Sequence, residues 1–134
     1  GGAGRALEMG RDYALGRMAF GRPIGSFQAI KHILADMYVA ATLARSNAYY
    51  GAWALSTDAG ELAEAAANAR VSATQAYQLC AKNNTQVHGG MGFTWEFDCH
   101  LYYRRSNLLA LSLGSLTMWE NRLVDEMRKR NAAA

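Results

Sequence analysis

The sequence predicts an all-α fold, an antiparallel (up-and-down) four-helix bundle with an additional short helix. Three observations carry this. Apolar residues recur at helical spacing through most of the 134 residues. The chain has a single proline, Pro23, between two of those helical patterns. No stretch alternates with the two-residue period of a half-buried strand.

The first element precedes Pro23. Leu7, Ala14, Leu15 and Met18 repeat at helical spacing, with Glu8, Arg11 and Asp12 elsewhere on the wheel. GGAGRALEMG already reads as the middle of a helix pattern, so the chain is expected to be a domain cut from a longer protein. After Pro23, Ser26 reads as an N-cap. A stripe then runs through Phe27, Ile30, Leu34, Met37, Ala41 and Ala44, and this helix is expected to reach about Leu55.

STDAGE marks a break and restart, with Asp58 as N-cap and Glu61 three residues on, as in a capping box. The third helix carries Leu62, Ala65, Ala66, Ala69, Ala73, Ala76 and Cys80. So many alanines predict close helix–helix approach. QVHGGMGF, with Gly89, Gly90 and Gly92, ends that helix. A fourth pattern spans roughly Phe97 to Leu113, and a fifth about Ser115 to Arg130.

Composition excludes several function classes. Half the residues are hydrophobic (51%) and 19% are charged, which is a globular balance. A net charge of +3, spread along the chain, argues against a nucleic-acid protein. The one dense basic cluster, Arg128 to Arg130, reads as a solvated helix end. No apolar run reaches membrane-spanning length. Cys80 and Cys99 fit neither a zinc site nor a disulfide framework, and read as buried thiols of a cytoplasmic protein. His32, His88 and His100 lie far apart, so no metal site is expected. GGMG lacks the Lys-Ser/Thr of a phosphate loop and follows a helix, not a strand.

Two longer stretches say more. RMAFGRPIGSFQAIKHILADM is followed some way on by QVHGGMGFTWEFDCHLYYRR. Together, in this order, they resemble the C-terminal domain of the acyl-CoA dehydrogenase family, whose patterns are approximately R-x-x-F-G-x-P-I-x-x-F-Q and Q-x-x-G-G-x-G-F/Y. The resemblance covers residues 1–134. It implies one domain of a three-domain, FAD-dependent enzyme, usually a homotetramer, that dehydrogenates an acyl-CoA thioester between its α and β carbons. The electrons then pass to an electron-transfer flavoprotein. One domain of three is not expected to catalyse alone.

Carried over residue by residue, the resemblance makes Arg17 the arginine that meets the FAD pyrophosphate, often in a neighbouring subunit. A guanidinium fork suits phosphate oxygens. Phe20 matches a flavin-proximal aromatic and Gln28 the polar end of the first motif. Gln86, Gly89 and Gly90 match the contact with the ADP half of FAD, where bare backbone approaches a ligand closely. Ser115 and Thr117 offer hydroxyls where a cofactor-contacting segment runs, or cap the last helix. His88 reads as packing or capping, Trp95 and Trp119 as packing, and Glu120 as a surface glutamate.

One position departs from the family. Many members carry a catalytic glutamate in a Tyr-Glu-Gly-Thr pattern, and an ungapped count from GGMG puts Gly114 and Ser115 on the Gly-Thr. Leu113 then occupies the glutamate position, and leucine cannot take a proton. No catalytic residue is therefore expected within the chain. Either the base lies upstream of Gly1, or the parent is a non-catalytic subunit of a heteromeric enzyme whose partner supplies it. A cofactor-free structural bundle is the remaining alternative.

Overall fold

The computed structural model describes residues 1–133. It contains five α-helices: α1 (Gly2–Gly16), α2 (Gln28–Ser56), α3 (Leu62–His88), α4 (Cys99–Leu111) and α5 (Leu116–Ala133). Helix α3 is the axial element and packs on the other four.

Contacts along α3 fix the direction of each neighbour. Gly10 lies against Asn84, and the Tyr13 ring stacks on His88 at 4.1 Å, so α1 runs parallel to α3. The Cys80 thiol faces the Met37 carbonyl at 3.5 Å, and Tyr50 donates to Glu61 at 3.2 Å, so α2 runs antiparallel. Helix α4 is also antiparallel, with Asn84 against Cys99 and the Arg70 guanidinium donating to the Leu109 carbonyl at 2.7 Å. Helix α5 continues in that sense, from Gln75–Glu120 to the Arg130–Glu64 ion pair at 2.7 Å. The expected up-and-down bundle is the architecture, with its fourth pillar divided between α4 and α5.

Small residues set the spacing. Ala65, Ala67, Ala76 and Ala81 of α3 are buried, and Gly51 of α2 packs against Ala65 and Ala69. Backbones can approach closely where side chains are this short, as the alanine-rich pattern predicts. Ala6, Met37, Ala41 and Cys80 form the centre of the core, sealed by Leu7, Ile33, Leu34 and Tyr102. Ala66 and Ala73 of the expected stripe are instead exposed. Because α3 has neighbours on several sides, its buried set is wider than one stripe.

Three local expectations are corrected. Met18 does not continue the first helix: Met18–Ala19 pairs antiparallel with Arg22–Pro23 in a minimal hairpin, β1 and β2. Its central residues Phe20 and Gly21 have φ of +52° and +78°, as a type I′ turn demands. Ser26 is not an N-cap; it lies in a 3₁₀ turn, Ile24–Ser26, and its hydroxyl donates to the Pro23 carbonyl at 2.7 Å. Asp58 does not cap α3 but closes α2. It sits at φ +50°, with Ala59 N–H on the Ala54 carbonyl and Asp58 N–H on that of Leu55. That is the bond pattern of a Schellman motif, with Asp in the place usually taken by Gly.

No described helix is long and apolar enough to cross a membrane.

Candidate cofactor groove

Because α1 and α3 are parallel and end together, Arg17 and the glycine stretch meet at one end of the bundle. Arg17 follows the last turn of α1, its N–H on the Tyr13 carbonyl at 2.8 Å, and its extended backbone leads into the hairpin. On the other side His88 ends α3, and the Gly89 N–H bonds the Gln86 carbonyl. Between the two ends lies a shallow groove of ≈ 400 Å³, lined by Tyr13, Arg17, Ile24, His88, Gly89 and Gly90 among others. Arg17 is exposed and, among the described residues, makes no ion pair. None of the residues lining the groove is a carboxylate.

The three glycines serve three different ends. Gly89 has φ +59° and ψ −136°, a conformation closed to residues with a side chain, and it stops the helix. Gly92 is buried: a Cβ there would lie 2.7 Å from the Thr85 carbonyl oxygen and 3.1 Å from the Thr85 Cα. Packing alone requires that glycine. Gly90 is exposed, has no left-handed φ, and a Cβ on it would meet nothing within 4 Å. The fold itself has no use for a bare backbone at Gly90.

The other expected site residues do not line this groove, and Ser115 and Thr117, at the start of α5 beside the middle of α3, lie away from it. Gln86 is exposed on the last turn of α3, one residue before the buried Val87. Phe20 projects from the hairpin tip at 95% exposure, its ring edge-on to Phe27 at 6.2 Å, and Gln28 is the exposed first residue of α2. Ser115 takes the capping role: its Oγ accepts the Met118 N–H at 3.2 Å, and Thr117 is exposed on the first turn of α5. Trp119 packs as expected, whereas Trp95 is exposed with its ring edge-on to His100 at 4.4 Å. Glu120 accepts from Gln75 on the bundle surface.

Phe20 is the strained member of this set. A bulky residue in the left-handed region costs about 1–2 kcal/mol, and an exposed ring contributes little burial in return. Phe20→Gly is expected to raise the stability of the full-length apoprotein by about 1 kcal/mol in urea unfolding. A variant that loses stability in urea contradicts the strain.

The stack beside the groove was not legible in the sequence. His88 is 4% exposed, with Tyr13 on its face and the Phe97 ring edge-on at 5.1 Å. Its Nδ1 lies 2.8 Å from the Asn84 carbonyl, so Nδ1 carries the proton. Burial holds its pKa below the usual histidine value, against the opposing pull of the Asn84 carbonyl. The packing reading of His88 is what the structure shows. Burial likewise pushes the Cys80 thiol up to about 11 and raises that of Cys99, which leaves both poor nucleophiles.

Leu113 stands on a pinned corner. The Trp119 indole N–H donates to its carbonyl at 2.7 Å, and Gly114 beyond it has φ +96°. A Cβ at Gly114 would run into Met118. The Leu113 side chain is 67% exposed and carries no group able to move a proton.

The family described as "Acyl-CoA dehydrogenase, C-terminal domain" matches residues 1–127. Acyl-CoA dehydrogenase IpdE2 of Mycobacterium tuberculosis (strain ATCC 25618 / H37Rv) is 43% identical over 109 residues, which are 80% of this chain and 32% of that protein. The chain thus spans about a third of the length of that relative. A structure of the Tcur3481-Tcur3483 steroid ACAD G363A variant superposes with a TM-score of 0.92 at 29% identity, covering 100% of this chain and 37% of that one. The ChsE4-ChsE5 complex from Mycobacterium tuberculosis gives a TM-score of 0.89 at 31% identity, covering 96% and 35%. The chain belongs to the acyl-CoA dehydrogenase family, and the part of that family it matches is the C-terminal helical domain.

Proposed function

We propose that residues 1–134 are the C-terminal domain of a longer, three-domain, FAD-dependent acyl-CoA dehydrogenase. In it this domain holds the ADP half of FAD and forms an oligomer interface, while the catalytic base lies outside the chain. The observation that carries the reading is the meeting of Arg17 with the bare Gly89–Gly90 backbone in one groove free of lining carboxylates. Bound FAD would supply the hydride acceptor for α,β-dehydrogenation of an acyl-CoA thioester, with an electron-transfer flavoprotein as the onward acceptor.

The chain's own residues bind and orient. Arg17 offers a planar fork of donors to pyrophosphate oxygens, with no intramolecular ion pair to break first. Gly90 lets the backbone come within contact of the nucleotide, and Gln86 presents an amide that both donates and accepts. Phe20 is an apolar surface held out toward the cofactor, and Gln28 a polar group beside it. Ser115 keeps a hydroxyl hydrogen free to donate after accepting from Met118, and Thr117 adds a second hydroxyl.

The oligomer interface is supported by the apolar side chains left outside the bundle. Tyr38, Val39, Leu43, Tyr49 and Trp53 are exposed on α2, and Leu111, Leu113 and Met118 around the α4–α5 junction. Val39, Leu43 and Trp53 share one face of α2 by helical spacing, and an exposed apolar face of this kind marks an association surface. A tetramer of like subunits is the simplest assembly, and free buried thiols suit a cytoplasmic protein.

A second reading has its own observation. The ungapped count from GGMG sets Leu113 against the family's glutamate, and one of the similar structures is a complex, ChsE4-ChsE5. In that reading the parent is a non-catalytic subunit of a hetero-tetramer whose partner supplies the base. A cofactor-free structural bundle would need neither an unpaired Arg17 nor a bare Gly90.

Flavin absorbance of the purified full-length protein tests the proposal, and a yellow protein is expected. A protein that stays colourless with added FAD, alone and co-expressed with a dehydrogenase partner, contradicts it. Acyl-CoA turnover by the full-length protein alone supports the first reading; turnover only with a partner supports the second.

A further inference from the structure

We propose that His88 is a proton-linked anion-binding group beside Arg17, so that binding of the FAD pyrophosphate is coupled to uptake of a proton at this imidazole. The inference rests on the assignment of the groove to FAD. It starts from the tautomer. A carbonyl oxygen only accepts, so the Nδ1 facing Asn84 is a donor in the neutral ring. Nε2 then keeps its lone pair, and the ring's one hydrogen bond among the described residues is the one at Nδ1. In that state His88 has nothing to donate to an anion.

The surroundings decide when the ring gains its second proton. From α1, the Tyr13 ring covers one face, and Arg17 lines the same groove with a like charge. From the segment before α4, Phe97 meets the ring edge-on; its neighbours Glu96 and Asp98 are exposed and make no bond to His88. The 3₁₀ turn that follows, Gly89–Phe93, brings no titratable group. On α3 itself the ring bonds the last-turn carbonyl of Asn84, and a helix C-terminus favours a cation. Burial and Arg17 oppose protonation, the helix end supports it, and no lining carboxylate tips the balance.

An anion in the groove reverses the balance. It screens Arg17 and gives an imidazolium Nε2–H a partner, so His88 takes up a proton as the anion binds. By linkage, the protonated ring must then hold the anion more tightly than the neutral one. The atoms balance simply: a proton from solvent adds to Nε2 on binding and returns to solvent on release. Gly89 and Gly90, exposed beside the ring, leave the approach open.

The test is calorimetric titration of the full-length apoprotein with FAD in two buffers of different ionisation heat, repeated at several pH values. Proton uptake is expected, with affinity rising by about five- to tenfold between about pH 8 and about pH 6. His88→Phe keeps an aromatic ring in the stack but has no proton to gain, so its affinity is expected to be flat over that range. Should that variant fail to fold, the wild-type buffer dependence still decides, since no proton uptake overturns the proposal. So does a His88→Phe variant that keeps the pH slope. Coenzyme A, which also carries an ADP pyrophosphate, serves as the second probe: proton uptake with it and not with FAD overturns the proposal as stated. FAD binding that Arg17→Ala weakens but pH does not touch removes only the role of His88. A protein that binds no FAD at any pH removes the groove assignment itself.

Discussion

Arg17→Ala in the full-length protein is expected to weaken FAD binding by roughly 10- to 100-fold while leaving the apoprotein's stability within about 0.5 kcal/mol. The two halves of this result have separate causes. A charge-assisted bond to phosphate contributes about 1.5–3 kcal/mol, and truncation removes it whole. The fold loses almost nothing, because Arg17 is exposed and forms no ion pair among the described residues. Arg17→Lys is expected to fall between, since an ammonium keeps the charge but not the fork. Equilibrium titration with FAD beside urea unfolding of the apoprotein separates the two effects. Unchanged affinity in the alanine variant removes Arg17 from the site.

Gly92→Ala is expected to do the reverse and destabilise the fold by about 1–3 kcal/mol. Its Cβ would press on the Thr85 carbonyl oxygen and Cα, which belong to the backbone of α3 and cannot withdraw as a flexible side chain would. A cooperative urea transition at lower midpoint with unchanged slope is the expected signature. A stability equal to wild type means that the turn after α3 can shift outward at no cost.

The parts of the fold that recur over many residues were legible in the sequence. Helix α2 carries its stripe from Phe27 to Ala44, about five turns, and α3 announces its close neighbours through its alanines. What was not legible is shorter or less local. The hairpin after Arg17 has strands of two residues, too few for any period to show, and Phe20 at a left-handed position carries none of the Asn-Gly signal of such turns. The Asp58/Glu61 spacing satisfies a capping box as written, yet the chain uses Asp58 to finish α2, since Asp also tolerates the left-handed conformation.

The site divides along the same line. Arg17, Gln86, Gly89 and Gly90 stand in motifs that survive as contiguous strings, so a sequence shows them. That Arg17 and the glycines share a groove depends on α1 and α3 being parallel and ending together, which no local pattern encodes. The Tyr13–His88–Phe97 stack joins three segments and leaves no trace in any one of them. Ser115 could be read both as a cap and as a cofactor ligand, and the structure shows the cap.

Gly90 tests the account of the groove most directly, because nothing in the fold calls for a glycine there. The measurement is the FAD dissociation constant of full-length Gly90→Ala against wild type, with urea unfolding of both apoproteins alongside. Superimposable unfolding curves with FAD affinity lowered by about tenfold are expected, one methyl group standing between backbone and nucleotide. Equal affinity at equal stability would mean that the ADP half of FAD does not lie on this backbone.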